Sequence, residues 1–228
     1  MVSYTPLGDD GLKLFRMAIF ASVIVLVCTV NAYGLTIVDA GHGGADGGAV
    51  SCDGTAESPI NLAISKKVVG LLQFLGQETL ETRVGEDIDY PSDCNTLRKK
   101  KVYDTKHRTE VINQQADAVV ISIHQNSLPS SPKTHGAMVF YNTQEGSDAI
   151  AQRVQQALNE TVNVGNGKNK APIGKDVYIM AHAIHPAILV ECGFLSNAND
   201  CANLQRNDYQ VTLALSIVAG FLQEEESP

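Results

Sequence analysis

Four side chains able to bind a metal or move a proton stand where apolar segments end or a helix begins. His42 lies in a Gly-rich loop after the first apolar segment, and His124 and Glu191 end two later segments. Glu57 comes just before the first predicted helix. Two imidazoles and a carboxylate suit zinc, and a second carboxylate can take the proton of a water molecule. The spacing predicts a catalytic zinc site but leaves open whether Glu57 or Glu191 is the ligand.

The segments that carry these residues alternate between strand and helix patterns. Strands are predicted at 35–40, 77–83, 118–124, 137–142, 177–180 and 186–191, and helices at 58–75, 98–115, 147–161 and 208–222. Ser58 is the predicted N-cap of the first helix. The alternation predicts an α/β fold: a single domain with a mostly parallel twisted sheet of about six strands and helices on both faces. Ligands of such sheets bind beyond the carboxyl ends of the strands, where the four side chains are placed.

The first 33 residues are predicted to be a signal peptide or an N-terminal membrane anchor. Lys13 and Arg16 precede the apolar run 17–30. A helix that spans a bilayer needs about 20 apolar residues, so a cleavable signal fits the run better than an uncleaved anchor. We therefore expect residues 34–228 to form the catalytic domain and to work outside the cytoplasm.

The composition excludes two classes of binding protein. The formal net charge is −8, and the basic residues are dispersed apart from the short run 99–101, whereas a nucleic-acid-binding protein has a concentrated basic face. The chain has no Trp, which excludes a carbohydrate site built on stacked Trp rings.

Each candidate side chain also has a plain structural interpretation. His42 could be a turn residue or part of a phosphate-binding loop, although the G-K-[ST] motif is missing. His124 could cap a strand, and Glu57 could be favoured only by the helix dipole. Glu191 ends an apolar run, where a carboxylate is costly unless it is paired or used. Asp39 and Asn126 are candidates for holding the two imidazoles in one tautomer.

Four motifs, in this order, carry a family resemblance: TIVDAGHGGADGGAV, ESPINLAI, SIHQNS and ILVECGFLSNANDCANL. Together they resemble the zinc-dependent N-acetylmuramoyl-L-alanine amidases of the type-3 class, over residues 35–222. The resemblance implies that His42, Glu57 and His124 hold Zn2+ and that Glu191 is the catalytic carboxylate. It also implies hydrolysis of the amide bond between the N-acetylmuramoyl lactyl group and L-alanine in peptidoglycan.

A short catalytic domain behind an N-terminal export segment most resembles the germination-specific amidases of endospore formers. That likeness implies a role in the spore cortex or in wall remodelling, with peptidoglycan as substrate and membrane contact only through an uncleaved N-terminal segment. An accessory protein or a homodimer is left open. Ala181 and His182 stand about where the family often carries Arg, so a substrate contact at this place is not carried over.

Two other functions remain open at this stage. A cysteine peptidase of wall peptides would use Cys192 or Cys52 with a histidine, and a catalytically inactive module would only bind the wall. Chelation should abolish the activity of a zinc enzyme, and thiol alkylation that of a cysteine enzyme. The four cysteines beyond residue 33 allow three pairings, and we expect them to be unpaired.

Overall fold

Strands and helices alternate along the chain as the sequence pattern predicts. The computed structural model describes residues 34–51, 53–164 and 169–223. The strands are β1 (Leu35–Ala40), β2 (Thr79–Glu81), β3 (Ala118–Asn126), β4 (Met138–Tyr141), β5 (Ile173–Gly174) and β6 (Ala187–Phe194). The helices are α1 (Glu57–Phe74), α2 (Leu97–Asn113), α3 (Ser147–Glu160), α4 (Tyr178–His182), α5 (Ala198–Leu204) and α6 (Asn207–Leu222).

The predicted export segment, residues 1–33, lies outside the described residues. In the part of the chain that the structure describes, no helix combines the length and the apolar character needed to cross a membrane. The predictions for the N-terminal segment and for its boundary with the catalytic domain therefore stay predictions.

The strands form one six-stranded sheet in the order β2-β1-β3-β6-β4-β5. All neighbouring pairs are parallel except β4 and β6, which confirms the predicted mostly parallel sheet. Because β1, β3 and β6 are adjacent and parallel, their carboxyl ends lie at the same edge. In the register of this sheet, His124 on β3 stands opposite Glu191 on β6.

Apolar side chains cover both faces of the sheet. Helices α1, α3, α5 and α6 pack on one face, where Ile121 and Ile123 of β3 are buried. Helices α2 and α4 pack on the other face against Val120 of β3. A strand covered on both sides needs apolar residues at successive positions, which explains the continuous apolar run in β3. Each fully buried Ile or Leu side chain contributes about 1.5–3 kcal/mol to the stability of this arrangement.

The first helix begins at Glu57, and the prediction that Ser58 caps it was wrong. Ala56 occupies the N-cap position and makes no side-chain capping bond. The N–H of Glu57 donates instead to the carbonyl of Ala49 at 2.9 Å, and that of Ser58 donates to the carbonyl of Gly47 at 3.1 Å. The Gly-rich loop thus satisfies two of the N–H groups that the start of a helix leaves without a partner. Glu57 becomes the first helical residue, next to that loop.

The predicted strand at 177–180 was also wrong, because Val177 is the N-cap of α4 and the next three residues belong to that helix. Ile179 and Met180 are buried against the second face of the sheet. The ring of Tyr178 stacks on that of His182, one helical turn later, at a centroid distance of 4.1 Å. An apolar run this short has no periodicity that separates strand from helix. The edge strand is β5 instead.

A buried ion pair joins β1 to α2 beneath the strand ends. Both Asp39 carboxylate oxygens accept hydrogen bonds from Nη1 of Arg108, at 2.8 and 2.9 Å, and one also accepts from the Ser122 hydroxyl at 2.6 Å. Burial opposes ionisation of Asp39, but Arg108 and Ser122 outweigh it and lower the pKa to about 2. Arg108 also donates from Nε to Asp104 at 3.0 Å, so the guanidinium pairs with two carboxylates. The sequence suggested that Asp39 orients a histidine. It binds Arg108 and Ser122 instead.

Replacing Asp39 with Ala is expected to lower the free energy of unfolding at neutral pH by about 3 kcal/mol, because Arg108 stays buried and keeps only Asp104 as a partner. Since folding lowers the pKa of Asp39 from 3.8, this stabilisation is present above that value and is lost as the pH falls towards 2. Denaturant unfolding measures the effect. The matched control is Asp208→Ala, which breaks an exposed, solvent-screened pair with Arg206 and should leave the free energy of unfolding nearly unchanged. Equal costs for the two variants would contradict the role of the buried pair.

Candidate metal centre

The loop after β1 holds His42 in a backbone conformation that residues other than glycine rarely adopt. Its φ is 62°, and the two glycines that follow have φ values of 141° and 55°. The N–H groups of Gly43 and Asp46 each donate to the other residue's carbonyl at 2.9 Å, so the loop closes on itself. Strained backbone of this kind persists where the surrounding structure enforces it, often at functional sites. Here it places the imidazole beside the first turn of α1.

Three of the four predicted side chains meet at one point. Nε2 of His42 lies 3.3 Å from Oε2 of Glu57, and Nδ1 of His124 lies 3.0 Å from Oε1 of the same carboxylate. One potential ligand atom from each of the three residues lies within 4.8 Å of the other two. The two imidazole rings are 4.9 Å apart in an edge-to-face arrangement. This spacing allows all three side chains to reach a single ion.

Glu57 is fixed from several sides and kept ionised. Its side chain is almost fully buried, and its two oxygens accept hydrogen bonds from the backbone N–H groups of Ala49 and Gln125, both at 2.9 Å. Burial opposes the charged form, but hydrogen bonds from His124 and His42 outweigh it and hold the pKa of Glu57 well below its usual range. The register between β3 and β6 shifts between His124 and Asn126. The N–H of Gln125, which donates to Glu57, lies at this irregularity. An anionic oxygen donor is thereby held between two imidazoles.

Asp46 orients His42, a role that the sequence reasoning missed. Its Oδ2 lies 2.8 Å from Nδ1 of His42, on the side of the ring away from Glu57, and its Oδ1 lies 2.7 Å from Nζ of Lys101 on α2. Burial disfavours the charged imidazole, yet the bonds to Asp46 and Glu57 raise the pKa of His42 to about 9. A carboxylate behind a ligating histidine fixes its tautomer and increases its basicity. Asn126, the other predicted candidate, accepts instead from the N–H of Ser127.

Arg83 ties the histidine loop to α1. The guanidinium donates to the carbonyls of Ala40, Gly41 and Ser58 at 3.0–3.1 Å, and the residue is only 9% exposed. It also pairs with Glu86 at 3.2 Å. Because the guanidinium donates to the protein's own carbonyl groups, Arg83 stabilises the position of the loop against α1 and does not face solvent.

Two glycines leave room for the cluster. A Cβ atom on Gly41 would overlap the ring of His124, and one on Gly48 would lie 2.5 Å from Oε2 of Glu57. The bare backbone at both places lets the imidazole and the carboxylate approach the loop closely. Three protein donors of the N, N, O type are the number and kind that catalytic zinc sites use. The residues present therefore fit a zinc ion.

Gly41→Ala is expected to weaken zinc binding at least about tenfold, because the new methyl group displaces the His124 ring. Gly47→Ala is the matched control, since its Cβ would meet only the Cβ of Ala56 at an ordinary 3.6 Å. Competition with a chromophoric chelator measures both affinities, and circular dichroism checks that both variants are folded. Equal affinities would show that the close approach at Gly41 does not matter.

Glu191, the fourth predicted residue, lies beside this cluster. It is 7% exposed, and its Oε2 is buried without a hydrogen-bond partner among the described residues. Burial raises the pKa of Glu191 above its ordinary value, and the nearby charge of His124 only partly offsets this. A buried carboxylate oxygen without a partner is costly for stability, which is typical of a group kept for chemistry. Its environment suits a proton acceptor next to an electrophilic centre.

Cys192 follows Glu191 on β6, so its side chain points to the other face of the sheet. There it is part of the apolar core that α1, α3, α5 and α6 cover. It is fully buried, and burial raises the pKa of its thiol far above the ordinary value. The thiolate that a nucleophilic cysteine needs is therefore disfavoured. Cys94, Cys192 and Cys201 are free thiols, as expected, and Cys52 lies outside the described residues.

Comparisons of the sequence and of the fold with known proteins lead to one family. The sequence profile of the N-acetylmuramoyl-L-alanine amidase family matches residues 36–223. The germination-specific N-acetylmuramoyl-L-alanine amidase of Bacillus subtilis is 31% identical over 186 residues, which cover 82% of this chain and 77% of that protein.

Two solved structures share the fold. The CwlD amidase of Clostridioides difficile, solved in complex with the GerS lipoprotein, superposes with a TM-score of 0.77 at 33% identity and covers 82% of this chain and 95% of the other. The amidase AmiC2 of Nostoc punctiforme gives a TM-score of 0.70 at 26% identity, over 82% and 94% of the two chains. The profile match extends over most of the sequence, and the cluster of His42, Glu57 and His124 lies within it. This chain therefore belongs to the N-acetylmuramoyl-L-alanine amidase family.

Proposed function

We propose that this protein is a zinc-dependent hydrolase of peptidoglycan that cleaves the amide bond between the N-acetylmuramoyl lactyl group and L-alanine. The observation that carries the proposal is the convergence of His42, Glu57 and His124 within 4.8 Å, beside a carboxylate oxygen of Glu191 that has no described hydrogen-bond partner. Membership of the amidase family supplies the substrate class.

His42, Glu57 and His124 are the proposed ligands of the metal. Glu57 is suited to this role because its hydrogen bonds keep it anionic, and His42 because Asp46 holds its ring with Nε2 towards Glu57. A zinc ion, when bound, supplies Lewis acidity that polarises the scissile carbonyl and makes water easier to deprotonate.

Glu191 is the proposed proton carrier of the reaction. It accepts a proton from the water molecule whose oxygen attacks the lactyl carbonyl carbon. When the carbon–nitrogen bond breaks, it returns that proton to the departing nitrogen of L-alanine. The products are a lactyl carboxyl group and a peptide with a free alanine amino group. A carboxyl group whose pKa is raised by burial is suited to act first as a base and then as an acid.

The two rival functions are less well supported. A nucleophilic role for Cys192 conflicts with its complete burial and its raised thiol pKa. An inactive wall-binding module would have no need of a strained His42, an anionic Glu57 and an unpartnered Glu191 oxygen in one place.

The relatives support a site of action in the wall or spore cortex, outside the cytoplasm. The name of the Bacillus subtilis relative ties that protein to germination, and the predicted export segment of this chain agrees with such a location. The structure of CwlD was solved with a lipoprotein, which supports an accessory protein as a partner for this chain too.

Mass spectrometry of digested peptidoglycan, with and without a chelator, tests the proposal. We expect new free alanine amino groups, which a chelator suppresses and added zinc restores. New carboxyl groups within the stem peptide would make the protein a peptidase instead. Digestion that resists the chelator but stops on thiol alkylation would support the cysteine mechanism.

A further inference from the structure

We propose that Lys175 is a positioning residue for Glu191: its ammonium group holds one carboxylate oxygen and thereby presents the other for proton transfer. The inference rests on the proposed function, because it concerns how Glu191 performs the role proposed above. Lys175 lies outside the four sequence motifs and follows β5, the edge strand of the sheet.

The backbone and the side chain of Lys175 are both held in place. The residue follows β5, and its N–H donates to the carbonyl of Tyr141 on β4 at 3.2 Å. Its side chain lies over Phe140, with Nζ 4.1 Å from the ring centroid, which is within cation–π range. The same Nζ is 3.7 Å from Oε1 of Glu191 on β6. Phe140 thus serves as a platform that guides the lysine towards the carboxylate.

The two oxygens of Glu191 have different surroundings. Oε1 faces the ammonium group of Lys175, whereas Oε2 is buried and has no hydrogen-bond partner among the described residues. A half-turn of the carboxylate only exchanges its two equivalent oxygens, whereas a smaller rotation moves the oxygen away from the ammonium group and weakens the ion pair. The lysine charge therefore favours one orientation, in which the unpartnered oxygen is the one left to accept a proton.

Burial distinguishes this pair from an ordinary surface ion pair. The side chain of Glu191 is 10% exposed and that of Lys175 is 36% exposed. In the exposed pair of Arg206 and Asp208 the corresponding values are 59% and 69%. Exposed pairs fix side chains poorly because water screens them. At Glu191 the carboxylate is shielded from water, so the lysine charge acts on it with less screening.

The test compares Lys175→Met, which keeps the length of the side chain but removes its charge, with Lys175→Arg, which keeps the charge. With the full chain on purified peptidoglycan, we expect Lys175→Met to lower kcat roughly 10–100-fold and to change KM less than about twofold. Lys175→Arg should retain at least about a third of kcat. Zinc content and the midpoint of thermal unfolding should match the unmodified protein in both. Lys106→Met, at an exposed site on α2, controls for the loss of one positive charge and should leave kcat unchanged.

A crystal structure of Lys175→Met gives a second readout that does not depend on activity. We expect the Glu191 carboxylate to lose its single orientation in that variant and to keep it in Lys175→Arg. An unchanged kcat, a rise in KM alone, or an unmoved Glu191 would each overturn the inference; a rise in KM alone would make Lys175 a substrate-binding residue. If the unmodified protein releases no alanine amino groups, the proposed function fails, and the orientation of Glu191 still tests the role of the lysine.

Discussion

Glu191→Gln is expected to bind zinc as the unmodified protein does and to lose at least about a thousandfold in kcat. Glutamine keeps the size of the side chain but cannot accept a proton from water or return one to the alanine nitrogen. A single general acid or base contributes about 10²–10⁴-fold to a rate, and this residue is proposed to act in both steps. Release of alanine amino groups measures the turnover, and elemental analysis measures the zinc.

Glu110→Gln is the control for this prediction, because it makes the same chemical change at an exposed position on α2. Its turnover should equal that of the unmodified protein. If Glu191→Gln also turned over at a near-normal rate, Glu191 would not be the proton carrier. If it lost its zinc, the assignment of ligands would have to include it.

His124→Ala is expected to lose both zinc and activity. The substitution removes one donor and also the hydrogen bond between Nδ1 of His124 and Glu57 at 3.0 Å, so the remaining carboxylate is less well fixed. Changes at residues that only support a ligand weaken metal binding by about 10–100-fold, so loss of a ligand should exceed that range. Competition with a chelator of known affinity gives the change, and the peptidoglycan assay gives the rate.

A matched control is His107→Ala. His107 is exposed on α2, where its ring stacks on that of Tyr103, so zinc binding and turnover should both stay normal. Normal zinc affinity in His124→Ala would show that the convergence of the three side chains does not reflect a metal site.

The long elements of the fold could be predicted because burial leaves a clear pattern in them. β3 is covered on both faces and is apolar at almost every position, and α1 repeats apolar residues along one side. Short elements leave a weaker pattern in the sequence. The segment that forms α4 was predicted to be a strand, and α5 was not predicted. α5 has only seven residues, although Asn197 caps it by accepting from the N–H groups of Asn199 and Asp200 at 3.1 Å. That capping pattern was a usable signal.

The residues nearest the proposed chemistry could be predicted for a physical reason. Parallel strands bring their carboxyl ends to one edge, so His42, His124 and Glu191 were expected at that edge once the strands were recognised. The strand order that makes them neighbours came from the structure. The supporting residues depend on features that no spacing reveals. Asp46 reaches His42 only through the left-handed turns of the loop, and Lys175 follows a strand of two residues.

Zinc titration of the purified full chain, after removal of metal by a chelator, tests the central claim most directly. We predict stoichiometric uptake of one zinc ion per chain by the unmodified protein and none by a variant in which both His42 and His124 are replaced with alanine. A protein that takes up no zinc, or a double variant that still binds it stoichiometrically, would contradict the proposed metal centre.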